Sequence, residues 1–271
     1  MLRDRTIVGI VLRHELLAAR RGAVLWLVSL GAMLALVSAL QPALAAGPLA
    51  AKISSLPQAM RDALGLSIVD FNRPAAYLAT NFAYVVLGTG AFGGLLGSRV
   101  IAKEELSRTG ELLYAQPARR GAIVLGKALA AATYAIAVPL LLAIVPLAIL
   151  SAVTTRELEA PLVFSLFVGC ACTAFAFAGV GMLVASTSRQ PRGVANVTLA
   201  IVFGTFVLGV FSALTPTLSF ARWVSPFKLV EAQAIVANGG LDPRAVAILV
   251  GVGGACIALA IEAYGRRDLH A

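Results

Sequence analysis

Residues 161–186 read PLVFSLFVGCACTAFAFAGVGMLVAS, 26 consecutive positions without one Asp, Glu, Lys or Arg. The hydrocarbon core of a bilayer is about 30 Å thick, and about 20 apolar residues of α-helix cross it. This stretch is long enough. A soluble amphipathic helix would carry a charged face, and none is present here. Five further stretches share the pattern, near 23–41, 75–97, 122–150, 194–214 and 243–264. Together the six predict an all-α membrane protein with six transmembrane helices, built as a single membrane-spanning domain over 1–271.

The composition agrees. Of 271 residues, 59% are hydrophobic and 13% charged, where a soluble domain carries about 25% charged residues. One soluble core of this size could not hide that apolar surface. An ordinary soluble enzyme, a disulfide scaffold and a disordered tail are all excluded. The 22 basic residues exceed the 13 acidic ones by nine, yet they sit in short clusters between apolar runs. No contiguous basic face forms, so no nucleic-acid partner is expected.

The basic clusters also orient the spans. With the N-terminus inside, the inner segments hold 15 Lys and Arg and the outer ones 7. The positive-inside rule then places both termini in the cytoplasm. The first apolar run is longer than a signal-peptide core and follows a long basic preface, so it reads as a retained span. Asp242 and Pro243 fit N-cap and first position of span six, and Pro161 marks the start of span four. Pro139 and Pro146 predict a kink or break in span three.

Between spans, residues 4–20 put Ile7, Ile10, Val11, Leu17 and Ala18 on one face and Arg3, Arg13, Glu15 and Arg20 on another. That pattern predicts an interfacial helix on the inner leaflet. Residues 56–66 fit a short amphipathic helix in the first outer loop. Residues 215–240, with Phe220, Trp223 and Phe227 among Pro and basic residues, fit short helices at the outer interface with Trp223 as anchor.

Catalytic and metal chemistry find little support. Residues 121–128 match the Gly and Lys spacing of a phosphate-binding loop, but Ala128 stands where Ser or Thr must reach magnesium, and no strand precedes it. Lys127 is therefore expected to snorkel to the inner interface. Cys170 and Cys172 would point to different helix faces, and the two histidines, His14 and His270, lie near opposite ends, so the thiols read as structural. Glu262 alone approaches mid-membrane among the ionisable residues, near the inner end of span six. In span two, Gly90/Gly94 and Gly93/Gly97 are overlapping small-xxx-small pairs, suited to packing within the chain or to a subunit or gating interface.

The most informative segment is the cytoplasmic loop 99–120. It is mixed in charge, permits helix and carries an apolar cluster, Leu112-Leu113-Tyr114. Such a cluster suits docking, on the chain's own bundle or on a soluble partner. The loop resembles that of the permease subunits of ABC-2 type exporters. In that family an acidic cluster precedes a Gly-Thr-Leu-Glu-Leu-Leu-like run, then Pro-x-x-Arg and Leu-Gly-Lys. Anchored on Pro117, these fall on Glu104 and Glu105, on Thr109 and Glu111, on Leu112 and Leu113, on Arg120, and on Leu125-Gly126-Lys127. Arg108 and Gly110 depart from the pattern, where Gly and Leu are frequent. Arg13-His14-Glu15-Leu16, Ser225-Pro226-Phe227 and Arg266-Arg267-Asp268-Leu269 are also similar to family segments.

The resemblance implies a six-span half-transporter without an ATPase site of its own and without a cofactor in this chain, ATP and magnesium being bound by a partner. It implies an ATP-binding cassette subunit and a second permease subunit, identical or sister, as partners within the lipid membrane, a bacterial inner membrane. Residues 4–20 would be an elbow helix. Residues 99–120 would be the coupling loop to the ATPase, with Glu104, Glu105, Glu111 and Arg120 setting the charge match. A scaffold without transport and a secondary transporter are the alternative readings.

Overall fold

The computed structural model describes residues 2–47, 52, 55, 57, 73–106, 120–154, 158–188, 190–214 and 224–266. Among these there is no strand. In lipid a helix satisfies every backbone group within its own segment, which is why apolar runs of this length fold as helices. The long elements are α1 (Leu2–Ala46), α2 (Pro74–Leu106), α3 (Arg120–Leu142), α4 (Ile144–Val153), α5 (Ala160–Thr187) and α6 (Val194–Leu214). Two short helices, α7 (Pro226–Leu229) and α8 (Ala232–Ala237), precede α9 (Pro243–Arg266). Six helical segments are long and apolar enough to cross a membrane, α3 and α4 together making the third. The chain is an all-helical membrane protein.

Helices α2 and α5 form the centre. In their most apolar stretches 78% and 72% of residues are buried, against 22–33% in the other four spans. They run in the same direction, with Phe82 of α2 edge-on to Phe167 of α5 at a centroid distance of 5.1 Å. Helix α1 lies along α3 and α4, α6 packs on α2, and α9 packs on α5. At one end Arg73 before α2 pairs with Glu159 before α5 at 2.7 Å, and Tyr77 donates to the Val37 carbonyl of α1 at 2.8 Å.

Two features differ from the sequence reading. Residues 4–20 do not form a separate element: they run on into the first span as one 45-residue helix, roughly 68 Å long at 1.5 Å per residue. No Pro or Gly pair interrupts it there, and hydropathy marks where the solvent changes, not where a helix ends. For the same reason residues 99–106 are not loop but the last two turns of α2. The break expected in span three falls at Ala143. Pro146 has no N–H for the Leu142 carbonyl and its ring crowds it, so the ladder is interrupted there. Pro139 is accommodated inside α3.

Local signals at the other end act as read. The Asp242 carboxylate accepts the Arg244 N–H at 2.8 Å, capping α9. Pro161 sits in the first turn of α5. Helices α7 and α8 fall within the 215–240 segment, and α8 ends on Gly239 at φ 75°, with the Gly240 N–H returning to the Ile235 carbonyl at 2.9 Å. That is the left-handed turn glycine allows. Trp223 and the expected helix over 56–66 lie outside the described residues, Pro57 apart.

Candidate functional site

The segments assigned to the inner face converge at one end of the bundle. The start of α1, the end of α2, the start of α3, the start of α6 and the end of α9 meet there. Gly126 of α3 stands so close to α1 that an added Cβ would lie 2.9 Å from Val11 Cβ and 3.0 Å from the Val8 carbonyl. Tyr134 of α3 donates to the Leu16 carbonyl of α1 at 2.7 Å.

At the centre of this end lies a charge cluster joining three helices. Glu15 of α1 is only 3% exposed. Lys103 Nζ of α2 donates to its Oε2 at 2.6 Å. Lys127 Nζ of α3 stands 3.9 Å from its Oε1 and donates to the Val100 carbonyl of α2 at 2.7 Å. Buried charge is costly unless paired and hydrogen-bonded, and these three groups meet that condition together. Lys127 does not snorkel: it is 1% exposed and turned inward, because a carboxylate and a carbonyl await it inside the protein. Nor is Glu15 on a solvated face. Ile10 and Leu17 are exposed, at 65% and 53%, alongside Arg13 and Arg20, as suits a helix whose surroundings are not only water.

The Glu15–Lys103 pair was not foreseen. Its partners are 88 residues apart, and no spacing in the sequence links Glu15 to Lys103.

Of the residues assigned to the coupling loop, Glu104 and Glu105 lie on the last turn of α2, and Arg120 opens α3. Both helix ends lie at the same end of the bundle as the charge cluster. Thr109, Glu111, Leu112, Leu113 and Pro117 lie outside the described residues.

The span-two glycines all lie along contacts of α2 within this chain. A Cβ on Gly93 would overlap the Ala174 carbonyl of α5, and one on Gly97 the Ala178 carbonyl. A Cβ added to Gly90 would lie 3.2 Å from the Phe177 ring, and one on Gly94 2.9 Å from Thr198 of α6. The two central helices therefore touch backbone to backbone. Helix α5 supplies its own small residues, Ala174, Ala178 and Gly181, a spacing the sequence also displays.

No group of three or more His, Cys, Asp or Glu among the described residues could hold a metal ion. Cys170 and Cys172 are free and buried in α5, and Cys256 is free and half-buried in α9. What the arrangement offers is mechanical. Helix α2 is continuous for 33 residues, roughly 50 Å. It reaches from the basic end into the tightest packing in the molecule.

No curated protein matches the chain. A family model described as ABC-2 family transporter protein covers residues 10–269, which take in five of the six apolar spans whole and the first from residue 10 onward. The chain belongs to the ABC-2 family of transporter proteins.

Proposed function

We propose that this chain is the membrane-spanning permease subunit of an ATP-driven exporter. ATP and magnesium bind in a separate ATP-binding cassette subunit, and a second permease, identical or sister, completes the transporter. The family match over 10–269 carries the reading. The basic end is the cytoplasmic one, in a bacterial inner membrane, with both termini on that side. The N-terminal half of α1 takes the place of the elbow helix. Residues 99–120 form the docking element, with Glu104, Glu105, Thr109, Glu111, Leu112, Leu113, Pro117 and Arg120 as its contact set.

Two observations support the transmission path. The docking residues begin on the last turns of α2, so a push there acts on a rigid rod. Lys103, on the same turns, is tied through Glu15 to α1 and, beside Lys127, to α3. Closure of the ATPase pair would thus bias helices one to three between two arrangements, which is all that a transporter powered by a partner requires.

Charge reversal tests the docking element. The triple variant Glu104→Lys, Glu105→Lys, Glu111→Lys is expected to lose the ATP-binding subunit on affinity purification. The variant Arg244→Glu, at the opposite end, should keep it. Retention of the ATPase by the triple variant would remove the docking role from this segment.

A further inference from the structure

A cleft of about 440 Å³ opens at the basic end between α1, α2 and the start of α6. That is within the roughly 300–1,000 Å³ range of small-molecule sites. Trp26, Phe92 and Leu96 form its apolar wall, the two rings lying 5.8 Å apart. Arg99, Lys103 and Arg192 line it from α2 and from the 3-10 turn before α6. Glu15 also lines it, but its carboxylate is engaged by Lys103 at 2.6 Å and faces Lys127 at 3.9 Å. Arg99 and Arg192 are exposed, and no carboxylate among the described residues pairs with either. The cleft therefore carries more positive than negative charge and receives the N-terminal end of α6 as well.

Its sides decide what that charge attracts. Helices α1 and α6 both pack on α2 but form no packed pair with each other, so the cleft is open between them. On the same two helices Leu25 and Val28 of α1 and Val197 of α6 are exposed, as lipid-facing residues are. A soluble anion would leave the aromatic wall uncovered. A molecule with a charged head and apolar tails covers both.

We infer that this cleft holds an anionic phospholipid of the adjoining leaflet, its phosphate between Arg99, Lys103 and Arg192 and an acyl chain against Trp26 and Phe92. Basic pockets between membrane helices at such an interface select anionic headgroups. The bound lipid sits against the Glu15–Lys103 pair and next to the end of α2. Its presence would thus set the arrangement of the helices that the proposed docking segment moves. The inference needs only that the chain spans a membrane, and it stands or falls apart from the ATPase reading.

The test uses the full chain in nanodiscs of phosphatidylcholine mixed with phosphatidylglycerol, re-extracted in mild detergent, with retained lipid measured by mass spectrometry. Wild type and Arg244→Gln should retain phosphatidylglycerol over phosphatidylcholine. The double variant Arg99→Gln, Arg192→Gln should lose that preference, by roughly fivefold for each basic residue removed. Both side chains are exposed, so the variant should fold, and an unchanged thermal midpoint in phosphatidylcholine alone checks this. Undiminished phosphatidylglycerol retention in the double variant would overturn the assignment, even if that variant had lost a protein partner. So would an equal thermal shift of wild type by inorganic phosphate, which would make the site one for free anions.

Discussion

Glu15 is the residue on which the basic end of the bundle turns. It is one carboxylate between two lysines, contributed by three different helices. Glu15→Gln keeps the shape and removes the charge, leaving Lys127 buried beside a neutral amide. Breaking a buried pair from one side costs about 3–5 kcal/mol. The midpoint for labelling buried Cys170 and Cys172 with a fluorescent maleimide on heating should fall clearly in this variant. Adding Lys127→Met should recover part of the loss, since the uncompensated charge is then gone. A double variant no better than the single one would show that Glu15 is held for another reason. Sequence alone placed Glu15 on the polar face of an amphipathic helix, because periodicity reports only which side is polar. It cannot report that a lysine 88 residues onward meets that side inside the protein.

At the scale of the element, the seam between α2 and α5 depends on missing side chains. Gly93→Ala and Gly97→Ala would each drive a methyl group into a backbone carbonyl, and a carbonyl cannot rotate away as a side chain can. Overpacking of this kind costs about 1–3 kcal/mol, and both variants should lower the thermal midpoint. Gly251→Ala in α9 meets nothing within 4 Å, so it should hold or raise the midpoint through helix propensity alone. If all three behave alike, the seam is looser than described. The glycine spacing of span two was readable, because close helix contact demands small residues at four-residue intervals. Which surface those glycines meet was not: spacing is the same whether the partner is α5 or another chain. Helix ends were the weaker part of the reading. Arg99, Lys103, Glu104 and Glu105 mark where the apolar span stops, yet α2 continues to Leu106, since a helix needs only its own hydrogen bonds to go on.

For the whole molecule, the sum of charge and hydropathy was enough to place six spans and to group their ends. The structure brings those basic segments together at one end through Glu15–Lys103, Gly126–Val11 and the Arg99–Arg192 cleft. The working part of the proposed transporter is a rigid α2 joining a docking segment at that end to a backbone-tight core. On the proposed reading, an ATP-binding partner pushes on that rod. The decisive measurement is therefore purification of the tagged chain from its native host in mild detergent, with the composition read by native mass spectrometry. An ATP-binding subunit is expected in equal number with the permease chains, two of each, and lost when Glu104, Glu105 and Glu111 are reversed in charge. A chain that purifies alone, or with a partner that binds no ATP, would contradict the permease assignment.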